Sequence, residues 1–239
     1  MAYSLLSKPA ILEHLKKGGI IIEPFNPDQL KSCSYDVSLG EWYCTRIQDP
    51  SGQVLNPYSK KAIINRFSDP QHAQKAKDHP LYNPLVWEGI EPDDLVIVFM
   101  PHEPVLGHTI EFIGGTKTSK GGACFTAEMK ARSSIGRYGM EICRCAGWGD
   151  VGFVNRWTME MVSDGPDPIV LVVGTCVAQM KIYRTAKVAD KDLYGYDPGR
   201  DSYQTGINLA KIMETWKPEM MLPRPLKRGT KHEGRRRNR

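Results

Sequence analysis

The sequence predicts a mainly β protein with one short helix near its N-terminus. Between residues 95 and 183, apolar residues alternate with polar ones or stand together in short blocks, as they do in β-strands. Gly and Pro separate these blocks at intervals that are typical of a β-sandwich or a barrel. Helical spacing of apolar residues occurs near residues 7–17 and, more weakly, near residues 206–216. These three observations define the expected fold class.

The predicted elements follow one another in chain order. Ser7 can cap the first helix, Pro9 suits its first turn, and Gly18 can end it. Residues 49–92 are rich in Pro, Asn, Asp and Lys, which indicates an irregular excursion. Strands are predicted in the segments IIIEP, SYDVSLGEWYC, LVIVFM, TIEFIGG, ACFTAEMKA, MEICRC, FVNRWTMEMVS and PIVLVVGTCVAQMKIY.

We expect three parts: a β domain over residues 1–183, a C-terminal arm over 184–216 and a disordered basic tail over 217–239. Residues 224–239 hold eight Lys or Arg and one Glu, so their charge of +7 exceeds the +5 of the whole chain. A segment with so little to bury stays solvated. Weak contact with nucleic acid through this tail is the alternative, and nucleic acid is otherwise not an expected partner.

The composition excludes several classes of protein. With 41% hydrophobic and 25% charged residues, the chain resembles an ordinary soluble globular protein. No apolar run reaches the roughly 18 residues that a membrane helix needs, and the N-terminus lacks the layout of a signal peptide. We therefore expect no membrane partner and a cytoplasmic location, in the infected host cell if the gene is viral. The six scattered cysteines are expected to be free thiols.

Zinc is not expected as a cofactor. The segment HEPVLGH, residues 102–108, departs from the H-E-x-x-H spacing, and Pro104 would interrupt the required helix. Cys143 and Cys145 form a C-x-C without a second pair of ligands. The signature of the zinc deaminases, H-x-E followed by P-C-x-x-C, is absent from the sequence.

The segment KARSSIGRYG, residues 130–139, places Ser133 and Ser134 between Arg132 and Arg137. Hydroxyls, backbone N–H groups and guanidinium groups in one short turn suit phosphate oxygens. The segment lacks the spacing of a P-loop. An ordinary polar turn between two strands remains the alternative.

Glu160 is a candidate for acid/base chemistry. Alternation in RWTMEMV places Thr158 and Glu160 on one face of a strand and the three bulky apolar residues around them on the other. A carboxylate in such a strand is unfavourable unless it is paired or lines a cavity, where it can transfer protons. An outward-facing strand residue is the alternative. Asp150, in the Gly-rich segment GWGDVGF, can simply shape a turn.

A cluster of aromatic and polar residues lies in the predicted arm. Two glycines, at 195 and 199, accompany it. The cluster could be a lid that folds over a nucleotide, or a tyrosine-rich linker. Its members are Tyr194, Tyr196, Arg200, Tyr203 and Gln204.

Taken together, these segments resemble the dCTP deaminase branch of the trimeric dUTPase superfamily. SKPAILEHLKKGGIIIEPFNPDQLKSCSYDVSLG is similar to its opening helix, strand and S-Y-D-x-x-L-G segment. ARSSIGRYG resembles G-R-S-S-x-x-R-x-G, and AGWGDVGFVNRWTMEM resembles A-G-W-I-D-P-G-F-x-G-x-x-T-L-E-L. PIVLVVGTCVAQMKIY is similar to the following strand, which ends in I-x-Q-L. The similarity covers about residues 4–183 and, more loosely, 194–206.

The resemblance implies a dUTPase-like distorted β-barrel or jelly roll, with the arm as a lid, that forms a homotrimer with shared active sites. It implies hydrolytic deamination of dCTP, or of a modified deoxycytidine nucleotide, to dUTP and ammonia. Zinc is not used, and Mg²⁺ binds through the nucleotide triphosphate. One alternative is a bifunctional enzyme that also hydrolyses dUTP and releases dUMP and pyrophosphate. Another is a non-catalytic nucleotide sensor on the same trimer.

The resemblance also assigns roles to residues. Glu160 would be the general acid/base, while Ser133 and the backbone near Ala146 would orient the attacking water. Arg137 would assist from across the trimer interface. The resemblance further implies that Arg132, Ser133 and Ser134 bind the phosphates and that Asp150 binds the deoxyribose. The backbone of Thr158 and Met159 would contact the base, and Gln179 would support the site from the next strand. The residues implied for the lid are Tyr196, Arg200, Tyr203 and Gln204.

The sequence departs from the family pattern at four positions. Ala131 and Asn155 stand where the family usually has Gly, and Val151 stands in place of Pro. In the arm, Ser202 occupies the position of a Lys, and Arg200 is the nearest residue that can substitute for it.

Overall fold

The computed structural model of the chain describes residues 4–48, 52, 54–118, 122–197, 201, 203–204 and 206–227. The described residues are mainly β, as predicted. Their strands are β1 Ile20–Glu23, β2 Tyr35–Ser38, β3 Trp42–Thr45, β4 Gln71–His72, β5 Gln74–Lys75, β6 Leu95–Phe99, β7 Val105–Gly115, β8 Cys124–Ala131, β9 Met140–Glu141, β10 Trp148–Gly149, β11 Asn155–Ser163, β12 Ile169–Val172 and β13 Cys176–Thr185. Their α-helices are α1 Lys8–Lys16, α2 Lys60–Ile64, α3 Ser133–Arg137 and α4 Leu209–Thr215.

The strands pair into three antiparallel sheets within the described part of the chain. The largest sheet has the order β4-β3-β7-β11-β9, and β1 also pairs with β7. The second has the order β10-β8-β13-β2, and the third has the order β12-β6-β5. β11 runs beside β7 from Asn155 to Met161, and the register shifts between Arg156 and Thr158. This long central strand positions the candidate site.

Side chains from the two larger sheets form a common hydrophobic core. Tyr35 on β2, Ile113 on β7 and Phe125 on β8 are completely buried in it. Burial of one such side chain contributes roughly 1.5–3 kcal/mol to folding. α1 adds Ile11 to the same core through its apolar face. Packing in this core therefore fixes the orientation of the strands, so that their polar residues lie on the opposite, outer faces.

The predicted first helix is present, although its cap differs from the prediction. Ser7 precedes α1 in an extended conformation, but its side chain makes no capping hydrogen bond. Gly18 has a φ of +69°, which allows the chain to turn after the helix. The weak helical pattern near residues 206–216 corresponds to α4, which Asn208 caps by accepting a hydrogen bond from the Lys211 backbone N–H at 3.2 Å.

The disordered tail was predicted to begin at residue 217, but the described residues after 216 include a short helix and a buried side chain. Pro218–Met221 form a 3-10 helix, and Met221 is only 3% exposed. The backbone N–H of Leu226 donates to the Pro57 carbonyl at 2.9 Å. The apolar residues before the basic run thus pack against the rest of the protein. A prediction based on the charge of the segment did not detect this packing. Residues 228–239 lie outside the described residues.

Other expectations have mixed outcomes. Residues 49–92 contain α2 and two short strands, β4 and β5, and not only irregular structure. The strand predicted at MEICRC is limited to Met140–Glu141. All six cysteines are free, as predicted. No helix within the described ranges has the length and apolar character needed to cross a membrane.

Candidate active site

A cavity of about 750 Å³ brings several predicted site residues together. Its walls come from β11, from the loop before β11 and from the C-terminal arm. A volume of this size is typical of sites for small molecules. The predicted residues that line it are Ala146, Asp150, Thr158, Glu160 and Tyr203.

The packing of β11 explains why Thr158 and Glu160 face this cavity. The Trp157 indole N–H donates to the Ile113 carbonyl at 2.7 Å, and its backbone N–H donates to Thr109 Oγ1 at 2.9 Å. These bonds hold Trp157 in the core and fix the rotation of the strand. Because successive side chains of a strand point to opposite sides, the residues that flank Trp157 and Met159 turn outward. The predicted faces of β11 are confirmed.

The Glu160 carboxylate is half-buried and held by the backbone. Its Oε2 accepts a hydrogen bond from the Cys145 backbone N–H at 3.0 Å. Burial raises the pKa of the neighbouring Cys143 thiol to about 12, while Lys130 lowers it and Glu160 raises it further. Cys143 therefore stays a neutral thiol near pH 7 and does not compete with Glu160 for a role in proton transfer.

The loop before β11 is shaped by glycines with close neighbours. A Cβ on Gly149 would lie 2.5 Å from the Trp157 ring. Gly152 has a φ of +101°, and a Cβ there would lie 2.7 Å from the Tyr194 carbonyl oxygen. Between them, Asp150 is exposed at the cavity. The loop thus presents an open carboxylate that can accept a hydrogen bond from a hydroxyl group.

The arm is tied to this loop by Gln204 and Asn155. Gln204 is 3% exposed, and its Oε1 accepts a hydrogen bond from the Val154 backbone N–H at 2.9 Å. Its Nε2 donates to two backbone carbonyls, at 2.9 and 3.0 Å. Asn155 Nδ2 donates to the Tyr203 carbonyl at 3.1 Å, so this departure from the family pattern adds a tether. The contact of Gln204 with a nucleotide stays a prediction, since its amide is occupied by backbone groups.

The serine–arginine turn lies apart from the cavity. Ser133, Ser134 and Arg137 are exposed on α3. They are not among the residues that line the cavity in the described part of the chain. A single chain therefore does not bring these side chains to Glu160.

Arg132 is anchored to the second sheet through a buried carboxylate. Its Nη1 donates to the Cys176 carbonyl at 3.1 Å, and its Nε lies 3.6 Å from Asp36 Oδ2. Gln179 Nε2 donates to the other oxygen of Asp36 at 3.1 Å. Two predicted site residues thus meet the same carboxylate. Ala131 ends β8 without a positive φ, so this turn does not require the glycine of the family pattern.

Three further predicted residues stand elsewhere. Met159 is completely buried, so only its backbone can meet a ligand. Tyr196 is 55% exposed and is not among the residues that line the cavity. Arg200 and Ser202 lie outside the described residues. The predicted contacts of these residues with a nucleotide stay predictions.

The cavity also holds residues that sequence reasoning did not single out. Arg156 follows the same alternation as Thr158 and Glu160, so the period of the strand was a usable signal for it. No local pattern connects Trp216, which follows α4, with β11. These additional residues include Arg46, Arg144, Trp148, Arg156 and Trp216, whereas Tyr194, which also lines the cavity, belongs to the cluster noted in the arm.

A comparison with known families decides the assignment. The family model described as dCTP deaminase-like matches residues 5–185. The chain belongs to the dCTP deaminase-like family. The match includes all thirteen strands and ends at the residue that ends β13. The assignment made from the quoted motifs is confirmed.

Individual relatives within this family are distant but extensive matches. The chain is 25% identical over 180 residues to "dCTP deaminase, dUMP-forming" of Methanosphaerula palustris, with 74% of this chain and 79% of the relative covered. It is 27% identical over 225 residues to a protein of the same name from Methanococcus aeolicus, with 90% and 100% covered. A third, from Acidothermus cellulolyticus, is 28% identical over 187 residues, with 78% and 83% covered.

A solved structure supports the fold. The 2'-deoxycytidine 5'-triphosphate deaminase from Agrobacterium tumefaciens has a TM-score of 0.52 and 14% sequence identity, over 80% of this chain. The match covers 51% of that solved chain, so this chain spans about half its length. This chain therefore shares the fold of that solved deaminase, and the mainly β class expected from the sequence is confirmed.

Proposed function

We propose that this protein deaminates dCTP and then hydrolyses the product, so that it releases ammonia, pyrophosphate and dUMP. The observation that carries the proposal is the half-buried Glu160 in a cavity that also holds Asp150 and Thr158. The "dUMP-forming" names of the relatives favour dUMP as the final product, in place of the dUTP first expected.

Glu160 performs the deamination as a base and then as an acid. Its carboxylate takes a proton from water while the water oxygen bonds to C4 of cytosine. The carboxyl group then gives this proton to the 4-amino group, and the C–N bond breaks so that ammonia leaves. The proton of the added hydroxyl moves to N3 as C4 becomes a carbonyl, which gives uracil. The hydrogen bond from Cys145 orients the carboxylate for both steps. Such acid/base catalysis contributes about 10²- to 10⁴-fold to the rate.

Asp150 suits the second hydrolysis. Its exposed carboxylate can accept a hydrogen bond from a water molecule in the same cavity. Attack of that water on the triphosphate breaks the bond between the α-phosphorus and the bridging oxygen, and pyrophosphate leaves. The remaining product is dUMP. We also assign to Asp150 the contact with the deoxyribose hydroxyl.

The cavity has groups that suit a charged nucleotide. Arg46 and Arg144 are exposed at its lining and can attract phosphate oxygens. In the ranges that the structure describes, no three His, Cys, Asp or Glu side chains come together as metal ligands would. Asp150 has the oxygen ligands that Mg²⁺ accepts, directly or through water, so it fits an ion that arrives with the triphosphate. Bound Mg²⁺ would neutralise phosphate charge.

We place the second half of the site on a neighbouring subunit. Ser133 and Arg137 are exposed on α3 and away from the cavity of their own chain. In a homotrimer they would enter the cavity of another copy, where Ser133 orients the attacking water. The free cysteines suit the reducing cytoplasm, where we place this activity.

An assay of the products tests the proposal. The purified protein is incubated with dCTP and Mg²⁺, and nucleotides, pyrophosphate and ammonia are measured. Equal amounts of dUMP, pyrophosphate and ammonia are expected. Ammonia with dUTP alone would overturn the second hydrolysis and retain the deamination. Binding of dCTP without turnover would indicate a nucleotide sensor and overturn the proposed function.

A further inference from the structure

Arg156 is a charged residue of the cavity for which the proposed reaction has no role so far. It lies on the cavity face of β11, before Thr158 and Glu160. Its side chain is 20% exposed. Its backbone N–H donates to Asn155 Oδ1 at 2.8 Å, which fixes the strand at this point. The residue is therefore held in place, although no element of the mechanism requires it.

Two aromatic rings pack against the Arg156 guanidinium. Its central carbon lies 4.6 Å from the centre of the Trp216 ring and 5.3 Å from the centre of the Phe112 ring. Stacking of this kind occupies the faces of the guanidinium and leaves the N–H groups at its edge for other partners.

The hydrogen-bonding capacity of Arg156 is not filled by the described protein. Its Nη1 lies 3.7 Å from Glu41 Oε1, which is beyond the length of a hydrogen bond. Its Nε is buried and has no hydrogen-bond partner among the described residues. An unpaired buried donor is unfavourable, so its presence calls for an explanation. A ligand with acceptor oxygens supplies one.

The ring that covers Arg156 is itself fixed. Trp216 stacks on His108, with 4.8 Å between ring centres. His108 Nε2 accepts a hydrogen bond from the Trp42 backbone N–H at 3.2 Å, and Nδ1 lies 2.8 Å from the Thr109 carbonyl oxygen. Burial lowers the pKa of His108 to about 4, against the opposing effect of the Thr109 bond. The imidazole is therefore neutral near pH 7, and it does not repel the guanidinium.

We propose that Arg156 binds the phosphate chain of the nucleotide and that Trp216 is the positioning residue that holds it flat. This inference rests on the proposed function. A planar guanidinium can donate to two phosphate oxygens at once, and the other cations that line the cavity, Arg46 and Arg144, extend the same positive surface. Arg132, Ser133 and Ser134, which were first expected to hold phosphates, do not line the cavity of their own chain in its described part. Arg156 adds a phosphate contact from within the chain to those that a neighbouring copy would bring.

Calorimetric titrations of the full-length protein test the inference. In a Glu160→Gln background with Mg²⁺, dissociation constants are measured for dCTP, dCMP and deoxycytidine. Arg156→Gln should weaken dCTP binding about 10- to 100-fold and deoxycytidine binding by less than about twofold. Arg156→Lys should weaken dCTP binding by a smaller factor, because the charge remains and the planar pair of donors is lost. Trp216→Phe should weaken dCTP binding about threefold to tenfold.

Matched controls separate this role from a structural one. Arg184→Lys on β13 and Trp87→Phe in the 49–92 segment change the same residue types away from the cavity, and dCTP binding should be unchanged. Equal losses for dCTP and deoxycytidine would place Arg156 at the base or sugar and overturn the phosphate assignment. Unchanged dCTP binding in Arg156→Gln and Arg156→Lys would overturn it as well. If the wild-type protein binds dCTP through Arg156 but forms no product, the proposed function fails and this inference stands.

Discussion

β11 and α3 carry the two halves of the predicted site, and the fold places them in contrasting surroundings. β11 lies between β7 and β9, with one face in the core and Thr158 and Glu160 in the cavity. α3 has five residues, and its two serines and its arginine are exposed. The residues of β11 line a cavity within the chain, whereas the side chains of α3 are exposed to solvent.

The difference shows what each chemistry needs. A carboxylate that moves protons benefits from a cavity that controls its contact with water, and a strand with a buried opposite face provides one. Hydroxyls and guanidinium groups that serve a neighbouring subunit must be exposed on their own. The proposed function therefore needs only one chain for the residues of β11, but a neighbouring copy for those of α3. The following predictions test this contrast, beginning with the largest effect.

Replacement of the acid/base residue should have the largest effect. Glu160→Gln should lower kcat for deamination about 10²- to 10⁴-fold, because the amide cannot accept and return the proton. The dissociation constant for dCTP, measured by calorimetry, should stay within about threefold of the wild type. Glu128→Gln on β8, where Glu128 accepts a hydrogen bond from Tyr183, is the control and should keep its activity. Full activity in Glu160→Gln would contradict the assignment.

Substitutions on α3 should reveal the shared site. Ser133→Ala should lower kcat about 10²-fold, because the attacking water loses a partner. When this variant is co-expressed with Glu160→Gln in equal amounts, one of the three sites in each hybrid trimer should regain activity, so that about one quarter of all sites in the random mixture are active. Only a site that takes Ser133 and Glu160 from different chains can be repaired in this way. Absence of recovery in hybrids verified by mass spectrometry would mean that both residues act within one chain.

Loss of the tether between the arm and the cavity loop should have an intermediate effect. Gln204→Leu removes three hydrogen bonds, which together contribute about 2–4 kcal/mol to docking of the arm. KM for dCTP should rise about tenfold while kcat stays near the wild-type value. Hydrogen exchange should accelerate in residues 194–197 and 206–208. Gln204→Glu keeps the acceptor for Val154 but turns a buried carboxylate oxygen towards two backbone carbonyls, so its effect should be at least as large; an unchanged KM in both variants would separate the arm from substrate binding.

The pH dependence of stability should reflect the stack beside β11 and not the exposed turn. The pKa of His108 is about 4 in the folded protein, below the ordinary value near 6.5, so the unfolded chain binds the proton more readily. The free energy of unfolding therefore keeps the full contribution of the neutral His108 above pH 6.5. It loses this contribution, about 3 kcal/mol in total, as the pH falls from 6.5 towards 4. Urea titrations from pH 7 to pH 4 should show a smaller fall for His108→Gln. Parallel curves for both proteins would contradict this.

Local patterns account for much of the fold and for the centre of the site. The period-two alternation of β11 was enough to place Glu160 opposite Trp157, and the same period extends to Arg156. The register between strands and the packing of the arm were beyond such reasoning. Gln204 reaches the loop before β11, and Trp216 reaches the cavity, through contacts with residues fifty or more positions away, and the sequence around them carries no trace of those partners.

The end of the chain illustrates the opposite error. The charge of residues 224–239 suggested a solvated tail, and the prediction extended it back to residue 217. Met220 and Met221 nevertheless line the cavity, because a short apolar segment can be buried even beside a basic run. Composition over a long window concealed a local contact.

The most direct test of the account is the fate of oxygen in the reaction. The protein is incubated with dCTP and Mg²⁺ in H₂¹⁸O, and the products are examined by mass spectrometry. We predict one ¹⁸O at C4 of the uracil in dUMP and a second in the phosphate of dUMP, because water attacks C4 in the first hydrolysis and the α-phosphorus in the second. Unlabelled uracil, or the absence of any uracil product, would contradict the role assigned to Glu160 and its cavity.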